Sequence, residues 1–225
     1  MKRILILLIL VTSINFGFAQ DKLGFGNMPD GVDSAGFGTV TTWVKKASEC
    51  TGVTIFGECY DTVRIGAQTW IAKNLHYNDM DGGVYSYNDD TSISDEYGYL
   101  YTWDAATRVD LLINGWHLPS LDEMNTLITH LGGSGIAGGK LKEAGYTHWI
   151  SPNTGATNES GFTAIGSGQY DYDDLEYTKL NGGFWMWSTT FGEENYSTMS
   201  LNEEYGETYI VDFLNRAVSV RLIKD

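Results

Sequence analysis

The chain has 225 residues, 29 of them acidic and 14 basic, for a net charge of -15 with the histidines neutral. A protein that neutralises phosphates needs clustered Lys and Arg, so this balance excludes a nucleic-acid partner. A 42% apolar fraction with 13% aromatic residues supplies enough core to exclude wholesale disorder.

Met1-Lys2-Arg3, the apolar run Ile4 to Val11 and the small residues Gly17 and Ala19 have the pattern of a secretory signal peptide over 1–19, cleaved after Ala19. The run is far shorter than the ~20 residues a membrane-spanning helix needs, so the expected product is not membrane-spanning but secreted or periplasmic. Losing Lys2 and Arg3 leaves 12 basic residues and a net charge of -17. Residues 20–52 are glycine-rich without apolar periodicity and read as a linker. Cys50 and Cys59 are the only two cysteines. In an exported protein they are expected to pair, and so short a loop contributes about 2.5–3 kcal/mol on the chain-entropy model. The alternative is two reduced thiols.

The domain is expected over 53–225. Val53 to Phe56, Tyr60 to Ile65 and Gln68 to Ala72 read as a small β-meander. Asn78 to Tyr97, with Asp79, Asp81, Asp89, Asp90, Asp95 and Glu96, has the composition of a solvated loop. A helix is predicted within Tyr99 to Leu112. Ser120 with Glu123 forms a capping-box pattern ahead of Leu121, Met124, Leu127, Ile128 and Leu131, which predicts a second helix ending at Gly132-Gly133. Gly138 to Ala144 suggests a short third one. Strands are predicted at 161–165, 184–188, 208–213 and 217–223. Strands, then helices, then strands argue for an α+β fold with a mainly antiparallel sheet.

The strings Tyr60 to Leu75, Tyr97 to Ala106, Gly115 to Ser120, Gly161 to Ile165, Trp187 to Thr190 and Ser219 to Asp225 occur in an order that resembles the Fibrobacter succinogenes major paralogous domain. That family occurs in exported and surface proteins of Bacteroidetes and Fibrobacteres. The Trp116-His117-Leu118-Pro119 block and the Val-Arg ending are also distantly similar to the C-type-lectin-like fold of formylglycine-generating enzymes. The resemblance implies a fold with two principal helices more than it implies a chemistry. Many relatives carry cysteines where this chain has Ser86, Leu112-Ile113-Asn114 and Leu222. The copper-binding cysteine pair of formylglycine-generating enzymes has no counterpart near the C-terminus.

The histidines His76, His117, His130 and His148 match no paired metal motif. His117, inside the turn block, is expected to bond structurally around the Trp116/Pro119 corner. Gly133 to Gly138 matches G-x-G-x-x-G but follows a helix, so no phosphate cradle is implied. The acidic loops supply calcium candidates, Asp79, Asp81, Asp171, Asp173 and Asp174, set against the plainer reading that they are solvated surface. No other cofactor is indicated. The candidate ligand-binding residues are Tyr170, Tyr172 and Tyr177, with Asn195, Tyr196, Asn202 and Tyr205 in an expected loop from Phe191 to Tyr209. Flat apolar rings with hydroxyls, and amides with directional hydrogen bonds, suit a sugar ring or a protein surface. Trp70, Trp103, Trp116, Trp185 and Trp187 are expected in the core. The expected function is a non-catalytic exported binding domain for a glycan or an extracellular protein. The alternatives are a polysaccharide-acting enzyme with unidentified carboxylates, or a structural adhesin.

Overall fold

The computed structural model describes residues 50–225 except 112, 193 and 194; the expected leader and all but the last three residues of the expected linker lie outside the described residues. The chain opens with a hairpin of β1 (Val53–Ile55) and β2 (Glu58–Tyr60), turned at Phe56-Gly57, both with positive φ. Cys50 and Cys59 are joined by a disulfide at its base. A second hairpin, β3 (Thr62–Ile65) with β4 (Gln68–Ile71), belongs to a different sheet. The expected continuous strand over Tyr60 to Ile65 is therefore broken at Asp61, and the expected single meander is two hairpins.

The expected acidic loop holds more structure than its composition suggested. It contains β5 (Val84–Tyr85), a 3-10 turn (Tyr87–Asp89) and helix α1 (Thr91–Tyr97). Asp90, read as a loop acid, is the N-cap of α1 and accepts from the Ser92 N–H, so the carboxylate starts a helix where composition alone reads solvation. Strand β6 (Leu100–Tyr101) pairs with β5 and precedes α2 (Trp103–Asp110), which Thr102 caps. After β7 (Trp116–His117), helix α3 (Leu121–His130) begins on the capping box predicted for it, with Ser120 and Glu123 bonded reciprocally. Helix α4 (Ser134–Leu141) starts earlier than expected, because Gly133 enters it with positive φ, and it ends where Lys142 turns to an extended backbone.

The last third contains β8 (Ser167–Asp171), β9 (Glu176–Leu180), β10 (Gly183–Phe191), β11 (Tyr196–Asn202), β12 (Tyr209–Phe213), β13 (Arg216–Ala217) and β14 (Ile223–Lys224). Strands β10-β11-β12 form an antiparallel meander, β13-β8-β9 a second sheet, and β3-β4-β14-β7 a third that brings the chain end beside the first hairpins. The expected Phe191 to Tyr209 loop is thus largely strand. The expected strand at 161–165 is absent except for a bridge between Ala164 and Lys142.

Residues 218–222 do not form the expected ladder either, although every one is buried. They exchange partners instead, with Val218 bonding Tyr101, Val220 receiving Leu75, and Leu222 receiving Ile71. Arg221 is fully buried here, donating to Asn74 Oδ1 and to the carbonyls of Ile71, Phe162 and Thr163, and lying over the Phe162 ring. Burial pushes its pKa down, while these acceptors satisfy the guanidinium. One apolar cluster joins α3 and α4 to β4, β10 and β11 through Trp70, Leu127, Leu141, Phe184 and Met199. Another centres on Tyr101, Val109, Trp187 and Val220. The result is α+β, mostly antiparallel, with four α-helices among the described residues.

Candidate functional site

Six of the seven tyrosines and asparagines singled out in the sequence separate into three places, and the seventh, Asn195, lies apart from them. On the β8–β9 hairpin, Tyr170 faces Tyr177 in register, and their ring centroids lie 4.6 Å apart. Tyr85 stacks on Tyr170 at 4.9 Å and Tyr87 meets Tyr177 at 5.2 Å. These rings pack the hairpin onto β5 and the 3-10 turn, forming a small third core. The Tyr177 hydroxyl donates to Asp89 Oδ1 at 2.7 Å; burial, then this carboxylate, hold its pKa well above the usual phenol value. Tyr170 and Tyr177 therefore serve chiefly as packing.

Tyr172, at the hairpin tip, reaches the second place, a cleft of about 300 Å³ lined by Thr102, Trp103, Asp104, Tyr172, Tyr196, Leu214 and Asn215. Trp103 and Tyr196 stack face to face, with centroids 3.8 Å apart and 10° between planes. The indole N–H donates to the Ser188 carbonyl at 3.0 Å, which fixes the pair. Trp103, expected in the core, is only half-buried because it occupies the first turn of α2 directly after the Thr102 cap. Asn215 accepts from the Tyr172 N–H through its carbonyl and donates through its amide to Asp173, so the β12–β13 turn holds the hairpin tip in place. The buried Tyr172 hydroxyl has no partner among the described residues. Its pKa is raised by burial and by the neighbouring Tyr85. Asp104 is exposed at the mouth, as is Leu214.

Sequence reasoning missed Trp103, Asp104 and Asn215 as site residues. The Thr-Trp-Asp string carried a usable signal, since residues just inside an N-cap project from the helix end where the core-facing stripe has not yet begun. Asn195 remains in the β10–β11 turn, where its carbonyl accepts from the Gly192 N–H.

Tyr205 lines the third place, a groove of about 530 Å³ beside α4, and Asn202 lies at the start of the loop that carries it. The Asn202 side chain accepts from the Glu204 and Tyr205 N–H groups at 3.0 Å, an Asx turn that sets the loop, and Tyr205 stands 48% exposed on the wall. Beneath the loop, the fully buried Lys142 donates to the carbonyls of Thr154, Asn202 and Tyr205 at 2.8–3.0 Å. Burial pushes its pKa down to about 8, against the pull of Glu203 and Glu207.

Three of the calcium candidates, Asp79, Asp171 and Asp173, have other side-chain partners. Asp79 receives Arg108 Nε at 2.6 Å, which holds its carboxyl below the usual range. It also accepts from the Asp81 N–H. Asp171 pairs with Arg216 and accepts from the Asp173 and Asp174 N–H groups, while Asp173 receives Asn215. Among the described residues, no three His, Cys, Asp or Glu side chains converge as a metal shell. His117 Nδ1 and Nε2 lie 2.7 Å from Asp225 and 2.9 Å from Glu123, tying the chain end to the α3 cap. No described helix is long and apolar enough to cross a membrane.

The family model for the Fibrobacter succinogenes major domain matches residues 63–224. Neither the curated proteins nor the solved structures contain a match.

Proposed function

On the premise that the chain belongs to the Fibrobacter succinogenes major domain family, we propose that it is a non-catalytic glycan-binding domain acting at the cell exterior, with the Trp103–Tyr172–Tyr196 cleft as its combining site. One observation carries this reading: two of the tyrosines expected to bind, distant in sequence, converge with a stacked indole, an exposed carboxylate and a side-chain amide in one concavity. An aromatic face accepts the C–H face of a sugar ring, and the Asp104 carboxylate and the Asn215 side-chain oxygen supply acceptors for its hydroxyls, the Asn215 amide nitrogen being held by Asp173. About 300 Å³ is the lower end of the usual range for small-ligand pockets, roughly 300–1,000 Å³.

The non-catalytic part of the proposal rests on the same lining. Glycoside hydrolysis usually needs two carboxyl groups about 5–9.5 Å apart across the sugar, and among the described residues Asp104 is the one carboxylate lining this cleft. Export rests on the leader pattern at 1–19. A panel of neutral oligosaccharides titrated by ligand-observed NMR tests the reading. Saturation transfer to one sugar class, lost in Trp103→Ala and Tyr196→Ala while the circular dichroism spectrum is retained, is expected. Transfer that persists in both variants would remove the cleft from consideration.

A further inference from the structure

The groove beside α4 differs chemically from the cleft, and we propose that it docks an extended peptide segment of a partner protein bearing lysine or arginine. Its floor is backbone. A Cβ on Gly138 would collide with the Glu207 carbonyl, and one on Gly139 with the Gly155 carbonyl, so α4 lies directly on two loops where any side chain would hold them apart. Three helix glycines cost roughly 1 kcal/mol each relative to alanine, and Lys142 is buried at further cost to tie both loops from below. Departures from local stability rules concentrated around one large concavity are the pattern of a functional site.

The occupant's chemistry follows from what faces the space. Among the described residues, the N–H groups of Gly155, Gly206 and Glu207 have no protein acceptor, so three donors are available for the carbonyls of an added chain. Ile136 and Tyr205, about half exposed, offer apolar contact. Of the carboxylates, Glu159 is paired with Lys140 at 3.5 Å, whereas Glu204 and Glu207 pair with no base among the described residues. In a chain of net charge -15, two carboxylates that form no ion pair among the described residues, with the buried Lys142 ammonium beneath them fully hydrogen-bonded to carbonyls, favour a cationic side chain at the groove. Peptide carbonyls, an apolar contact and a positive charge together describe a basic extended peptide. A neutral sugar would leave the charge complementarity unused.

The test uses the isotope-labelled full chain and three probes: an acetylated, amidated pentapeptide of sequence Ala-Lys-Leu-Lys-Ala, its counterpart with glutamate in place of lysine, and a glucosamine tetramer. The basic peptide is expected to shift the amide resonances of Gly155, Gly206 and Glu207, and the acidic one to leave them unmoved. Glu204→Gln with Glu207→Gln is expected to weaken binding at least about tenfold. Removing two charges elsewhere on the surface, Asp122→Asn with Glu176→Gln, is expected to weaken it less than about threefold. Asp104→Asn in the cleft should have no effect, which separates this proposal from the glycan reading. Equal weakening by the two charge-removal pairs, shifts confined to other residues, or tighter binding of the glucosamine tetramer than of the peptide would overturn it.

Discussion

The aromatic cleft and the glycine groove are made by opposite means. The cleft is lined by side chains held on strand ends and a helix cap, with Trp103 and Tyr196 braced by ring stacking and the Tyr172 N–H donating to the Asn215 carbonyl. The groove is lined largely by backbone, made accessible by missing side chains and held by one buried ammonium. A side-chain-lined site can lose one ring and keep its scaffold. A backbone-lined site depends on the packing that brings its segments together, so its binding and its stability are expected to fail together.

Substitutions can separate the two regions, and the largest expected effect lies beneath the groove. Lys142→Met leaves three carbonyls without their donor at a fully buried position and should destabilise the protein by about 2–4 kcal/mol, measured by urea unfolding. Gly139→Ala places a methyl against the Gly155 carbonyl and should cost roughly 2–3 kcal/mol, with the Gly155 and Gly206 amides displaced in the NMR spectrum. A neutral outcome for both variants would mean that the groove is not set by this packing. Tyr196→Ala, by contrast, should cost about 1–2 kcal/mol of stability, since Tyr196 is only half-buried, and should leave the groove amides in place.

The smallest expected effect is shared by both regions, because it belongs to the scaffold. His117 lies between Asp225 and Glu123, and His148 between Glu96 and Glu143; burial lowers each pKa, but the carboxylates outweigh it and the net shift is upward. A histidine whose folded pKa is raised stabilises the protein fully below its unfolded value, about 6.5, and loses that contribution as pH rises through the folded value. Stability should therefore decline as pH rises from about 6 to 8 by less than ~1 kcal/mol per histidine, given their partial exposure. His148→Gln should flatten part of that slope in denaturation curves taken across the range. A slope of the opposite sign would show that these contacts do not hold the imidazolium.

Legibility in the sequence follows the same division. Helix α3 is readable because its capping box and its 3-4 apolar spacing are both local. Strand β11 is not: Ser197, Thr198 and Ser200 are buried, and their hydroxyl-rich string reads as a loop until Asp212 Oδ1 and the Val211 carbonyl are seen to accept from Ser197 and Thr198. Residues 218–222 show the reverse error, a largely apolar run that reads as one strand but is buried and bonds in turn to Tyr101, to β10, to Leu75 and to Ile71. The tyrosines of the cleft stand out by type, whereas Trp103 reads as core by type and only its place just inside the Thr102 cap marks it as a residue of the helix end. The G-x-G-x-x-G string, which follows a helix and so implies no phosphate loop, is the entry to α4 over the groove.

Sequence by itself determined the family, the α+β composition and the capped start of α3, because each rests on neighbours or on ordered motifs along one chain. Only the tertiary structure decided which tyrosines pack and which line a cleft, and that glycines of α4 open a groove above Lys142. Those outcomes depend on distances between segments far apart along the chain, and a residue's type says what it can touch without saying what is brought within its reach.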